Sequence, residues 1–156
     1  MSLKISDKLP DFDLKNQHNL NVSSKKFIGK NLIIFFYPKD YTPGCTTEVC
    51  NFRDNYDILK KFDAEILGIS SDDIRSHKSF AKKYNIQYDL LSDPKRKVEK
   101  LFGVPRNLFG LLPGRVTYIF NKRGTLVEII NSQLNINKHL QKTLQILKSM
   151  NKQIFK

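Results

Sequence analysis

The sequence predicts an α/β fold in which helices flank a central mixed sheet, within a single domain spanning residues 1–156. Two patterns support this prediction. Leu32 to Tyr37 is a continuous apolar run, typical of a strand that is buried on both faces. Near the carboxyl end, two strand-like segments flank a glycine-containing turn. With 40% apolar residues, eleven of its residues being Phe, a chain of this length can bury one core.

The first half of the chain predicts a strand–helix–strand–helix order. After Pro38 ends the first strand, apolar residues recur at helical spacings of three and four, at Val49, Phe52, Tyr56 and Leu59. Ile66–Ser70 is predicted as the next strand, and Ile74–Tyr84 as a second amphipathic helix. This order favours parallel strands that are joined by a right-handed crossover.

The second half predicts a hairpin followed by a helix. The predicted elements are a short strand at Leu90–Leu91, a short helix from Lys95 to Phe102, strands at Val116–Asn121 and Thr125–Asn131, and a helix marked by Leu140, Leu144, Leu147 and Met150. Gly124 lies in the hairpin turn, where a positive φ is expected. The full order is typical of a thioredoxin-like domain. That fold hosts many activities, so function has to be argued from the site.

The net charge of +12 raises the question of a nucleic-acid partner. Most cations are Lys residues dispersed along the chain, with short clusters at 82–83 and 95–97, and no acidic residue follows Glu128. Nucleic-acid platforms interleave Arg and aromatic side chains on one face, and that pattern is absent from this sequence. We therefore expect a solvated basic surface and no specific nucleic-acid partner, while non-specific attraction of polyanions stays open.

Neither a membrane span nor a targeting segment is predicted. The longest apolar run, Leu32–Tyr37, is far shorter than the roughly 20 residues that a span needs. Residues 1–7 lack the apolar core of a signal peptide and the Arg-rich character of a transit peptide. We expect a cytoplasmic protein. The alternative is a mature protein of a plastid-type compartment from which the targeting segment has been removed.

The cysteines and histidines do not form a metal pattern. The chain has two cysteines, Cys45 and Cys50, and its histidines are His18, His77 and His139. Zinc sites need four ligands at characteristic spacings, which this set lacks. We expect neither a metal nor another cofactor.

The segment from Tyr37 to Cys50 holds the residues with chemical potential. It joins the carboxyl end of a buried strand to a helix, where open α/β sheets usually bind ligands. Thr42 suits the N-cap and Pro43 the first helical position. Cys45 then lies in the first turn, where unpaired N–H groups and the helix dipole favour an anion such as a thiolate. The alternative is that Cys45 is only a small buried hydrophobe.

The helical spacing of the two cysteines restricts how they can react. Cys45 shares the apolar stripe of Phe52, whereas Cys50 lies one position off it. In an ideal helix their Cα atoms are about 8–9 Å apart, while a disulfide needs about 4.4–6.8 Å. We therefore predict separate sulfurs in the reduced protein, and unwinding of the first turn before the two sulfurs can join.

A family resemblance follows from these residues. Pro38, Thr42 and Cys45 have the spacing Pro-x-x-x-Thr-x-x-Cys, which resembles the active-site motif of the peroxiredoxins. Cys50 resembles the second thiol of the atypical, intramolecular two-cysteine Q type, also called bacterioferritin-comigratory protein. The similarity covers nearly the whole chain, including residues 9–12, 92–94, 101–104 and 108–119. Ser6 departs from the family, which often has Gly there.

The resemblance implies a thiol-dependent peroxidase that acts in antioxidant defence. Cys45 would attack hydrogen peroxide or an organic hydroperoxide and become a sulfenic acid, and Cys50 would then close a disulfide. A thioredoxin or similar dithiol would reduce that disulfide, and the usual state of the group is a monomer. Two rivals remain: a general thiol–disulfide oxidoreductase, which usually has two residues between its cysteines, and a thioredoxin-like binding or chaperone module with inert thiols.

Four further residues are expected to support Cys45. By resemblance, the Thr42 hydroxyl and the Cys45 N–H bind the peroxide oxygens. Arg115, at the start of a strand beside the first one, either offers a cationic fork to the thiolate or forms a surface ion pair. Pro38 either shields the thiolate or merely ends the strand, and Glu48 either holds Arg115 or is a solvated helix residue. The apolar segment 108–112 either lines the pocket, favouring bulky alkyl peroxides, or belongs to the core.

Overall fold

A seven-stranded sheet forms the centre of the protein. The structure, a computed structural model, describes residues 2–107, 112–133 and 135–154. The strands are β1 (Asp13–Lys15), β2 (Asn21–Ser23), β3 (Asn31–Phe36), β4 (Ala64–Ser70), β5 (Asp89–Ser92), β6 (Arg106–Asn107), β7 (Leu112–Pro113), β8 (Val116–Phe120) and β9 (Leu126–Asn131). In space the order is β2-β1-β5-β4-β3-β8-β9, and β6 pairs with β7 in a separate two-stranded sheet.

Among the described residues, five α-helices and one 3-10 helix surround the sheet. They are the 3-10 helix Ser24–Phe27, α1 (Pro43–Asp54), α2 (Tyr56–Lys61), α3 (Ile74–Tyr84), α4 (Lys97–Phe102) and α5 (Asn137–Ile154). Within the described part of the chain, every helix is too short or too polar to cross a membrane.

The strand directions confirm the predicted mixed sheet. β3 runs parallel to β4, and β4 runs parallel to β5. On the other side of β3 lies β8, which is antiparallel and places Val116 opposite Phe36. This pairing brings the start of β8 to the carboxyl end of β3, where α1 begins. The fold is therefore a thioredoxin-like α/β domain, as predicted.

The alternating side chains of β3 divide the core into two layers. Ile33 and Phe35 face a cluster that contains Cys45 and Phe52 of α1 together with residues of α2, α3 and α5. Leu32, Ile34 and Phe36 face the second cluster, which includes Phe102 of α4 and residues near the amino terminus. Because both faces of β3 are covered, a continuous apolar run is what this strand requires.

Several local predictions need correction. The apolar stripe from Val49 to Leu59 is not one helix, because Asn55 adopts φ −112° and ψ 12° and separates α1 from α2. The side chain of Asn55 donates to the Asn51 carbonyl, 2.9 Å away, which stabilises this break. α4 begins at Lys97 rather than Lys95, because Arg96 is in the left-handed region.

The sequence does not predict the four shortest strands, but it does predict the turn between β8 and β9. The paired strands β1 and β2 have three residues each and carry too short a pattern to be recognised. β6 and β7 have two residues each and were also not predicted. The hairpin between β8 and β9 was predicted, and Gly124 has the expected positive φ, 74°.

Candidate active site

The first turn of α1 buries the thiol of Cys45. Thr42 is the N-cap with extended backbone angles, and Pro43 is the first helical residue, as predicted. The first intrahelical bond runs from the Thr46 N–H to the Thr42 carbonyl, 2.9 Å. The N–H groups of Gly44 and Cys45 therefore precede the hydrogen-bonded ladder and remain available at the amino end of the helix. Cys45 is fully buried, on the same stripe as Val49 and Phe52.

Arg115 lies directly beside this thiol. It precedes β8, so the antiparallel pairing of β8 with β3 carries it to the carboxyl end of β3. Its Nη2 donates to Cys45 Sγ at 3.5 Å, and the residue is almost fully buried. Its backbone N–H donates to Gln133 Oε1 at 3.0 Å, which fixes the position of the chain there. A permanent positive charge thus faces Cys45 from a side with little water.

Glu48 is buried behind Arg115. Its Oε1 accepts from Arg115 Nη1 at 3.3 Å, and the side chain is only 1% exposed. Burial raises the pKa of the Glu48 carboxyl to about 8, and the charge of Arg115 offsets only part of that effect. Its Oε2 is buried without a hydrogen-bond partner in the described structure. Burial therefore favours the protonated form of Glu48, in which the carboxyl does not cancel the charge of Arg115.

His139 of α5 completes the buried network, and sequence reasoning missed it. Its Nε2 lies 2.8 Å from the Ser132 carbonyl and its Nδ1 lies 2.7 Å from Thr117 Oγ1. Because a carbonyl only accepts, Nε2 carries the proton, and burial lowers the pKa of His139, which favours the neutral ring. Nδ1 then accepts from the Thr117 hydroxyl and lies 3.6 Å from Glu48 Oε2. No pattern in the sequence links α5 to α1 in this way.

The side chain of Thr42 has a different partner from the one that N-cap statistics suggest. Its Oγ1 donates to the Lys39 carbonyl at 2.8 Å and makes no capping bond to the helix. The hydroxyl oxygen keeps its acceptor capacity, and the residue lines the same cavity as Cys45 and Pro38. Together with Arg115, four of the residues expected at a peroxide site therefore border one cavity, of about 510 Å³.

Cys50 lies on the same helix but on another face. It is half-buried, both cysteines are free thiols, and α1 is continuous through both positions. An intact helix holds their Cα atoms too far apart for a disulfide. Burial raises the pKa of the Cys50 thiol, and nearby Arg53 offsets part of that effect.

A second polar network, also missed from the sequence, holds the loop before α1. Asp40 accepts from the Tyr37 hydroxyl at 2.7 Å and from Ser76 Oγ at 2.9 Å, and its Oδ2 lies 2.7 Å from His77 Nδ1. The Asp40 N–H donates to Asp72 Oδ2 at 2.8 Å. These contacts attach the loop to β4 and α3 and fix the position of Thr42.

The same network brings possible metal ligands together. Ligand atoms of Asp40, Asp72 and His77 lie within 4.8 Å of one another. Their close oxygens and nitrogens are engaged in the hydrogen bonds described above, with Asp72 Oδ2 also accepting from Ser70 Oγ at 2.6 Å. The cluster is therefore accounted for as support of the loop. The predicted pocket role of the segment 108–112 is not tested, because residues 108–111 lie outside the described residues.

The sequence of the chain is similar to those of known proteins. The AhpC/TSA family profile matches residues 5–129. The chloroplastic peroxiredoxin Q of Gentiana triflora is 51% identical over 140 residues, which cover 90% of this chain and 64% of that protein. The chain thus spans slightly less than two thirds of that relative.

The structure of the chain is also similar to solved structures of known proteins. The peroxidoxin BcpB of Mycobacterium tuberculosis has a TM-score of 0.86 at 33% identity, covering 94% of this chain and 97% of that one. The bacterioferritin comigratory protein of Xanthomonas campestris has a TM-score of 0.83 at 28% identity, covering 92% and 99%. The similarities in sequence and in fold therefore identify the same family: the chain belongs to the AhpC/TSA family and, within it, to the peroxiredoxin Q group.

Proposed function

We propose that this protein is a thiol peroxidase that reduces hydrogen peroxide and organic hydroperoxides. Cys45 is the nucleophile, Cys50 resolves the oxidised form, and a thioredoxin-like dithiol completes the cycle. The observation that carries the proposal is the buried Cys45 Sγ, which borders a cavity and lies 3.5 Å from Arg115 Nη2. The X. campestris relative, whose structure was described together with its alkyl peroxide reduction activity, supports the same substrate class.

In the first step the Cys45 thiolate attacks one peroxide oxygen in line with the O–O bond. The S–O bond forms as the O–O bond breaks, so Cys45 becomes a sulfenic acid, and the departing oxygen takes a proton and leaves as water or an alcohol. Increasing the thiolate fraction of a thiol supplies only about 2 kcal/mol of the ~8 kcal/mol or more that enzymes provide. The remainder is assigned to Thr42 and Arg115, which orient the peroxide and stabilise the leaving oxygen.

In the second step the Cys50 sulfur attacks the sulfur of the Cys45 sulfenic acid. The Cys45–Cys50 disulfide forms and water leaves, which requires the first turn of α1 to unwind. An external dithiol then reduces the disulfide by thiol–disulfide exchange and is itself oxidised. Pro38 shields the thiolate from water, and Glu48 holds Arg115 in position.

Two substitutions test these assignments. Cys45→Ser should abolish peroxide consumption, because no other thiol lies in the cavity. Cys50→Ser should leave the first oxidation intact but stop turnover with a thioredoxin. Mass spectrometry after one equivalent of peroxide should show a Cys45–Cys50 link in the wild type and a sulfenic acid, trapped with a dimedone-type reagent, in Cys50→Ser. Peroxide consumption that survives the loss of Cys45 would contradict the proposal.

The same experiment separates the proposal from a binding or chaperone module with inert thiols. An inert module would show no fast single-turnover oxidation of either cysteine. The chain contains no Trp, so rapid-quench alkylation followed by mass spectrometry is the suitable readout.

Location and assembly form a separate part of the proposal. The chloroplastic relative supports a plastid-type compartment rather than the cytoplasm. Imaging of the full-length protein in its own cells distinguishes these two. We propose a monomer, which sedimentation of the reduced protein would test.

A further inference from the structure

The cavity above Cys45 is larger than hydrogen peroxide needs. Its volume of about 510 Å³ lies within the range of sites for small organic ligands. The proposed chemistry uses Thr42, Cys45 and Arg115. Lys39 and Arg96 also line the cavity, and the proposed function gives them no role.

The charge of the cavity lining is predominantly positive. Lys39, Arg96 and Arg115 line it, and the carboxylate among the lining residues is that of Asp72. Asp72 Oδ2 already accepts from Ser70 Oγ and from the Asp40 N–H, which disperses its charge. An anionic group entering the cavity would meet an excess of cations.

Arg96 is a lining cation with unused hydrogen-bonding capacity and a planar guanidinium. Its Nε lies 3.9 Å from Glu99 Oε2, and its side chain is 38% exposed. The guanidinium makes no hydrogen bond within the described residues. The two Nη groups present a planar fork, the geometry that binds a carboxylate through two bonds.

The backbone of Arg96 is unusual for a residue with a side chain. It has φ 56° and ψ 30°, the left-handed region in which Gly or Asn is normally preferred. Arg96 does not cap α4 with its side chain; Asp93 Oδ2 does so, accepting from the Val98 and Glu99 N–H groups at 3.1 and 3.0 Å. The Arg96 N–H donates to the Asp93 carbonyl at 2.9 Å and closes the turn. Local hydrogen bonds therefore account for the turn without using the Arg96 guanidinium, whose local contact is the 3.9 Å approach to Glu99 Oε2.

We propose that Arg96 is a specificity residue that binds the carboxylate of an organic hydroperoxide while the peroxide group reaches Cys45. This inference rests on the proposed function. The carboxylate takes no part in the reaction, so the electron and proton balance of the first step is unchanged. Lys39, which also lines the cavity, adds a second positive charge that attracts the carboxylate.

A matched pair of substrates tests this inference. The probes are cumene hydroperoxide with a para-carboxylate and the methyl ester of the same compound, which differ mainly in charge. Arg96→Asn removes the charge while keeping a residue that tolerates the left-handed region. It should lower the acid-to-ester ratio of kcat/KM about fivefold, a typical effect of losing one partly exposed ion pair, and should leave hydrogen peroxide turnover unchanged.

Lys97→Asn is the matched control. Lys97 is the next cation along the chain, is exposed, and lines a different cavity. It should leave the acid-to-ester ratio unchanged. Equal effects of the two substitutions would show that overall charge, rather than Arg96, attracts the acid, and would overturn the proposal. So would an equal loss of acid, ester and hydrogen peroxide turnover in Arg96→Asn, which is the signature of a structural role.

A binding measurement keeps the test independent of the chemistry. The alcohol product of the acid probe, titrated into the Cys45→Ser protein and followed by NMR, should bind and should lose most of its affinity when Arg96→Asn is added. If Cys45 proves inert but this titration behaves as expected, the proposed function fails and the anion site stands. If the titration and the kinetic ratio are both unaffected by Arg96→Asn, the inference is wrong.

Discussion

At the residue scale, the reactivity assigned to Cys45 depends on the charge balance around Arg115. The guanidinium contacts both Cys45 Sγ and Glu48 Oε1, so the two acidic groups share one cation. Burial raises the pKa of the Glu48 carboxyl to about 8, and the protonated form leaves the charge of Arg115 to the sulfur and to the developing negative charge on the peroxide. His139, neutral on the other side of Glu48, supplies no competing cation.

The raised pKa of Glu48 predicts a specific pH dependence of the first oxidation. As the pH rises through about 8, Glu48 ionises and neutralises Arg115. The rate of Cys45 oxidation in the wild type, divided by that in Glu48→Gln, should therefore fall by about tenfold across the alkaline range. Dividing the two rates cancels the titrations that both proteins share. A ratio that is flat with pH would contradict this role of Glu48.

The same carboxyl predicts how stability depends on pH. The folded protein holds the Glu48 proton up to about pH 8, whereas the unfolded chain loses it near the ordinary value of 4.5. Between these values the folded state binds more protons, so the free energy of unfolding, relative to Glu48→Gln, should fall as the pH rises, by about 1 kcal/mol per pH unit. Denaturant titrations of the two reduced proteins at several pH values measure this difference. A flat profile between these two pH values would show that Glu48 is already ionised in the folded state.

At the element scale, α1 has to be stable for one step and to open for the next. While the helix is intact, Cys45 faces the cavity and Cys50 is beyond bonding reach. Val49 and Phe52 are fully buried and anchor the middle of the helix, so unwinding is most easily confined to its first turns. Disulfide closure should then depend on helix propensity between the two cysteines.

A pair of substitutions at Thr47 tests this dependence. Thr47 is exposed and lies between the two cysteines. Gly is about 1 kcal/mol less favourable than Ala inside a helix, so Thr47→Gly should close the disulfide about fivefold faster than Thr47→Ala. The rate of sulfenic acid formation should be the same in both. Rapid-quench alkylation with mass spectrometry resolves the two steps.

The control pair lies on another helix. Lys142 is exposed on α5, and its Ala and Gly variants should close the disulfide at equal rates. If the Thr47 pair also closes at equal rates, unwinding of α1 does not limit disulfide formation.

At the scale of the whole molecule, the sheet positions every part of the site. β3 leads into the loop before α1, and Arg115 immediately precedes β8. Ser70 at the end of β4 donates to Asp72, which in turn accepts from the Asp40 N–H and supports that loop. Gly68 of β4 lies between side chains of β3 and β5 that leave little room: a Cβ there would be 2.8 Å from Phe35 Cζ and 3.0 Å from Leu90 Cδ2.

Gly68→Ala should therefore lower the free energy of unfolding by about 1–3 kcal/mol, because the core would have to move apart to admit a methyl group. Denaturant titration of the reduced protein measures the change. Leu20→Ala is the control, since Leu20 is 62% exposed and its loss should cost less than about 0.5 kcal/mol. A neutral Gly68→Ala would show that Phe35 and Leu90 can shift freely.

Much of this architecture was already present in local sequence patterns. The apolar run of β3, the Thr42–Pro43 start of α1 and the turn at Gly124 are each set by the chemistry of neighbouring residues, so each was predicted correctly. The break at Asn55 was not, because an apolar stripe continues across it and only the backbone angles reveal it.

By itself, then, the sequence determined the fold class and placed Cys45 in the first turn of a helix after a buried strand, because propensities, caps and apolar periods act over a few residues. The tertiary structure decided that Glu48 is buried deeply enough to keep its proton, that His139 and His77 support the site, and that Arg96 faces the cavity. These properties arise from contacts between segments distant in the chain and from exclusion of water. No local pattern encodes either of them.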